Sequence, residues 1–168
     1  FIARVAIKDA DYVEIEKAVK SSNSRKMVYI QRSKGYSRRK SILIDDIEKV
    51  VKFVKNIDSE IIVMVDNCYG EFIETREPIE AGADIMAGSL IKNPGGGLAI
   101  AGGYICGNKE LVDIVADRMT SPGIGKECGL TFGTTRTLLQ GLFLAPMIVS
   151  NAKKGAVFCA KLFENYGY

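Results

Sequence analysis

The sequence predicts an α/β domain with a mostly parallel sheet flanked by helices. Short β-branched runs recur along the chain, the clearest being Ile61-Ile62-Val63-Met64-Val65. Between them stand segments whose apolar residues follow helical spacing, joined by short connections without repeats or low-complexity linkers. Crossovers in such a sheet are right-handed. At 168 residues the chain is the size of one domain, so residues 1–168 are read as a single unit.

Phe1 to Ile7 reads as a strand, and Asp11 with Glu14 as a capping box ahead of Ile15, Ala18 and Val19 at helical spacing. Met27 to Ile30 is a second apolar run. Asp45 with Glu48 offers another capping box, and Ile47, Val50, Val51 and Val54 then form an amphipathic stripe. The unalternating run from Ile61 to Val65 suits a strand buried on both faces. Shorter runs follow at Ala83 to Ala87 and Gly103 to Cys106. Asn108 is placed to cap a helix bearing Leu111, Val112, Val115 and Met119. A helical tail is expected from about Thr135 to Glu164, kinked or divided at Pro146.

Composition narrows the function. With 47% hydrophobic and 26% charged residues the chain reads as an ordinary globular protein. Its apolar stretches look too interrupted to span a membrane, and it opens on Phe1 without a signal segment, so it reads as an internal piece of a longer cytoplasmic protein. There is no histidine, which leaves acid–base work to Lys, Asp, Glu, Tyr or Cys. Without histidine or a Cys-x-x-Cys pair, no metal site is expected. Cys106, Cys128 and Cys159 are expected to be small buried hydrophobes. From Ser21 to Ile44 the chain has no acidic residue but carries Arg25, Lys26, Arg32, Lys34, Arg38, Arg39 and Lys40. A solvated basic loop is the simpler reading of that strip, anion contacts the other, and no nucleic-acid module surrounds it.

Ligands of open α/β sheets bind beyond the carboxyl ends of the strands. Asp66 ends the most hydrophobic strand, where a carboxylate is costly unless something positive meets it. Lys92 follows the next strand directly, within Gly88-Ser89-Leu90-Ile91-Lys92-Asn93-Pro94-Gly95-Gly96-Gly97. Small and turn-forming neighbours suit a lysine set into a cleft, where burial lowers its pKa as a covalent amine requires. The glycines also invite a dinucleotide-loop reading, but they follow a lysine and precede a strand, unlike the G-x-G-x-x-G context.

Asp66-Asn67-Cys68, Gly82-Ala83-Asp84 and Ser89-Leu90-Ile91-Lys92 resemble the pyridoxal-phosphate (PLP) site of the Cys/Met-metabolism enzymes of fold type I, which include cystathionine lyases and methionine γ-lyase. The run from Val65 to Glu71, the run from Gly88 to Gly97, Gln31 to Ser37 and Ala145-Pro146 are similar to the methionine γ-lyase-like branch labelled aluminium-resistance proteins. The resemblance implies part of a fold type I large domain, with the N- and C-terminal parts of the full enzyme absent. It implies PLP held by Lys92 as a Schiff base, Asp66 on the pyridine nitrogen and Ser89 on the phosphate. It further implies a carbon–sulfur lyase acting on cystathionine, cysteine or methionine, as a homodimer or homotetramer. Two departures stand out. Cys68 replaces a threonine near the cofactor ring, and Ile91 replaces a hydroxyl residue before the lysine, which opens the alternative of a PLP-binding stress protein without lyase activity. Arg32 and Tyr69 are candidate substrate contacts.

Overall fold

Two parallel strand pairs and one antiparallel pair make up the sheet of the computed structural model, which describes residues 12–21, 27–127, 129 and 131–168. Helix α1 (Tyr12–Lys20) precedes β1 (Met27–Gln31), α2 (Ile44–Ile57), β2 (Ile62–Asp66), β3 (Ile85–Ser89), β4 (Gly103–Gly107), α3 (Lys109–Met119) and α4 (Thr135–Asn165). The strands lie in the order β1-β2-β3-β4. β1, β2 and β3 run parallel and β4 returns antiparallel, as expected of a mostly parallel sheet. The expected first strand, Asp11 and Cys128 fall outside the described residues.

The core lies where the spacing put it. Ile47, Val50, Val51 and Val54 of α2 are buried against Ile30, Val63 and Val65, with Ile15 and Val19 of α1 closing the cluster. Burial along β2 alternates between buried and half-buried residues, so that strand is not sealed on both faces. The segment from Asn67 to Asp84 holds turns rather than a crossover helix. Asp84 secures it: Lys55 at the end of α2 donates to Oδ1 at 2.9 Å, and the Val63 N–H donates to Oδ2 at 2.6 Å.

Helix starts were legible only where the cap is local. Asn108 caps α3, its Oδ1 accepting from the Glu110 N–H at 2.9 Å. The Asp45 box does not form; α2 begins at Ile44, behind Leu43, and the Ile44 N–H donates to the Glu74 carboxylate at 3.2 Å. A carboxylate from a distant turn thus meets the orphan donors and the positive end of the helix. Pro146 does not divide α4, which runs unbroken around it. By length and composition α4 is apolar enough to cross a membrane; here its buried residues are Gly141, Ala145 and Val149, and it packs against the 3-10 turn Asn93–Gly95. Cys106 and Cys159 are exposed, not core residues: the short strand β4 and the later turns of α4 are not covered.

Candidate functional site

Side chains alternate across a strand, so register sorts the carboxyl edge of the sheet into two sides. Gln31, Asp66 and Ala87 pair across three strands and share one face with Tyr29, which pairs with Met64. Ile30, Val65 and Met86 share the opposite face, toward the core.

Asp66 is held from two directions. Its Oδ1 accepts from the Cys68 N–H at 3.0 Å and its Oδ2 from the Tyr29 hydroxyl at 3.1 Å. Lys92 follows β3 in a tight turn, its N–H donating to the Ser89 carbonyl at 3.3 Å. Its ammonium lies over the Tyr69 ring, 4.5 Å from the centroid, within cation–π range. The adjacent Cys68 thiol, with Tyr69 and Asp66 nearby, holds the Lys92 pKa above the ordinary lysine value. Burial of the amine is slight and does not offset this, so the expected lowering is not found. Burial pushes the Cys68 thiol up and the neighbouring Asp66 adds to that, against the opposing pull of Lys92 and the Ser89 backbone. Asp66, Cys68, Lys92 and Tyr69 thus stand close together at the carboxyl edge, with the Ser89 backbone beside Cys68.

Backbone geometry fixes the turns around Lys92. Tyr69 and Phe72 take left-handed conformations, φ 66° and 62°, which cost non-glycine residues about 1 kcal/mol or more each. The Asn93 side chain, next to Lys92, donates to the Glu71 carbonyl at 3.0 Å. On the far side, a β-carbon on Gly96 would meet the Gly141 carbonyl at 2.3 Å, and one on Gly141 would meet the Gly95 carbonyl at 2.2 Å. Glycine at both positions lets α4 press directly on the lysine turn. Between the lysine turn and α4 lies a cavity of about 280 Å³, lined by Tyr69, Lys92, Asn93, Ile148 and Lys153 among others but not by Asp66, Cys68 or Ser89. The glycines from 95 to 97 sit in this turn against α4 and do not open a helix, so a dinucleotide loop does not form there.

Arg32 belongs to the other side of the sheet. It is 3% exposed, neither solvated nor free to grip a ligand. Its Nη1 donates to Asn67 Oδ1 at 2.8 Å and to the Gly70 carbonyl at 2.9 Å, Nε donates to the Ile42 carbonyl, and Nη2 pairs with Glu74. The same glutamate caps α2. Asn67 passes the network on, donating to Glu77 at 2.9 Å and to the Tyr104 hydroxyl at 3.4 Å. Tyr104 donates to Glu71 Oε1 at 2.7 Å. Burial pushes the Glu71 carboxyl above its usual range, and its Oε2 is buried without a partner. The sequence carried no local signal for this ionic floor, whose partners stand far apart in the chain. Tyr29 was missed too, although strand alternation puts it on the face of Asp66.

Fold and site together define an α/β domain that sets a carboxylate and a lysine side chain near one another at the carboxyl edge of its parallel strands. The family model described as methionine gamma-lyase matches residues 2–168, and the chain belongs to that family. The uncharacterized protein YnbB of Bacillus subtilis is 51% identical over 158 residues, 94% of this chain and 37% of that protein. A solved carbon–sulfur lyase involved in aluminium resistance from Clostridium novyi is 52% identical, with a TM-score of 0.86 over 94% of this chain and 37% of its own. At 19% identity and a TM-score of 0.58, apo CalE6, a methionine gamma lyase from Micromonospora echinospora, shares the fold over 79% of this chain and 34% of its own. The chain therefore spans little more than a third of the length of these relatives.

Proposed function

We propose that the protein is a PLP-dependent carbon–sulfur lyase of fold type I, acting on a sulfur-containing amino acid, with this chain supplying the lysine that holds the cofactor. The observation that carries the reading is that Asp66 and Lys92 lie at and just beyond the carboxyl ends of adjacent parallel strands, Asp66 bonded to the Cys68 N–H and the Lys92 ammonium set over the ring of the next residue, Tyr69. The donor set fits PLP: an amine for the aldehyde, a carboxylate already ordered by two donors for the pyridine nitrogen, and a hydroxyl residue for the phosphate. When bound, PLP supplies an electron sink for negative charge at the substrate Cα.

The residues divide the remaining work. Lys92 would hold the cofactor through Nζ, and the same amine is placed to take the proton from the substrate Cα. Asp66 keeps the ring nitrogen protonated by pairing with it. Ser89 donates to the phosphate. Cys68 stands beside the ring as a weak donor. Tyr69, whose ring already lies against Lys92, borders the space a substrate would enter. A homodimer or homotetramer is the proposed working form, supported by apolar residues such as Phe143 and Phe158 that α4 leaves exposed.

Borohydride reduction of the intact protein with PLP, followed by peptide mapping, tests the assignment. The phosphopyridoxyl label is expected on Lys92 and is expected to vanish in Lys92→Ala; a label on another lysine sinks the reading. A second reading, a PLP-binding stress protein without lyase activity, is favoured by Cys68 and by the exposed Ile91 at the position before the lysine. Thiol release from cystathionine, cysteine or methionine separates the two.

A further inference from the structure

We infer that Tyr29 is a positioning residue that fixes the Asp66 carboxylate for the cofactor's ring nitrogen, an inference resting on the proposed function. A carboxylate rotates freely about its terminal torsion unless both oxygens are held. The Cys68 N–H fixes Oδ1 from within the turn that Asp66 itself begins. The Tyr29 hydroxyl fixes Oδ2 at 3.1 Å from a different strand. Donors on two separate elements therefore define the carboxylate plane, and both bonds are charge-assisted.

The placement follows from register. Gln31 is the direct partner of Asp66, and Tyr29 stands two residues earlier on the same face. A side chain must be long to cross that diagonal and must end in a donor. Tyrosine meets both requirements, whereas phenylalanine has the reach without the hydroxyl. Packing does not account for the contact, because Tyr29 is 55% exposed among the described residues. Burial of the hydroxyl, followed by the charge of Asp66, raises the Tyr29 pKa, which keeps it a donor well into the alkaline range.

The test has two arms on the intact protein. In the first, ring-labelled tyrosine NMR follows Tyr29 without cofactor. Asp66→Asn is expected to lower the Tyr29 titration, and an unchanged titration overturns the inference whatever the protein binds. In the second, PLP is titrated by absorbance. Tyr29→Phe, which keeps the ring, is expected to weaken PLP binding about tenfold, and to change nothing further in an Asp66→Asn background. Additive losses in the double variant overturn the positioning role while leaving the proposed function intact. A wild-type protein that binds no PLP, with Tyr29 still responding to Asp66, defeats the proposed function and the inference with it.

Discussion

Arg32 passes so close beneath Gly70 that a β-carbon on residue 70 would lie 2.4 Å from its Nη1. The guanidinium fills the space that a side chain would need, and it bonds the Gly70 carbonyl and the Asn67 side chain at once. The turn that follows Asp66 is thereby moulded over a buried cation. Gly70→Ala must displace that cation or the turn, with an expected loss of about 2–3 kcal/mol of stability in urea unfolding.

Removing the cation is expected to do more harm. Arg32→Met leaves Glu74 without its close ion-pair partner and Asn67 Oδ1 without its donor. Breaking one side of such a buried pair costs about 3–5 kcal/mol. Thermal unfolding measures the loss. A loss no larger than that of an exposed ion pair, about 1 kcal/mol or less, shows that the network does not brace the sheet edge.

Glu71 carries the opposite sign. Burial raises its carboxyl pKa in the folded chain, so the folded state binds more protons than the unfolded one between the two values. The stability this group contributes is full below its unfolded pKa and is lost as pH rises through the folded value. At neutral pH the charged form is therefore disfavoured, with Oε2 buried and unpaired. Glu71→Gln keeps an oxygen for the Tyr104 hydroxyl and is expected to stabilise the protein at pH 7 by about 1 kcal/mol. The gain is expected to shrink toward pH 4 in denaturant titrations across that range.

Gly141 lets α4 reach the lysine turn. Gly141→Ala places a methyl group where the Gly95 carbonyl already sits, 2.2 Å away. The backbones have to part, and Lys92 stands three residues before Gly95. An expected loss of about 1–3 kcal/mol should be accompanied by weaker PLP binding. Hydrogen exchange at the Gly95 amide, bonded to the Lys92 carbonyl at 3.0 Å, reports whether the turn itself loosens.

The sequence disclosed what is written locally. The α2 stripe was legible because burial of one helix face repeats with helical period, and Ile47, Val50, Val51 and Val54 are all buried. Asp66 and Lys92 were legible as strand-end residues because Asp66 closes the β2 run and Lys92 stands in the turn just beyond β3. What escaped depends on partners remote in the chain. Glu74 caps Ile44 from another turn, Arg32 is neutralised by Glu74 far downstream, and Tyr29 meets Asp66 only because β1 and β2 pair in one register. The antiparallel return of β4 was equally invisible, since a short apolar run carries no sign of direction.

Lys92 and Cys68 set the pH dependence of cofactor capture. The amine nitrogen must shed its proton before it can bond to the aldehyde of PLP, and its pKa is held above the ordinary lysine value. Below that pKa the neutral fraction grows about tenfold per pH unit, so the capture rate is expected to rise about as steeply from pH 7 to pH 9. The neighbouring Cys68 thiol is the largest of the influences holding the proton on. Cys68→Ala removes it, moves the amine toward an ordinary lysine and is expected to speed capture at pH 8 about two- to threefold, the modest gain a weak thiol partner implies. Stopped-flow absorbance with PLP measures both effects. Capture that slows in Cys68→Ala, or that does not vary with pH, shows that the lysine proton is not what limits the reaction.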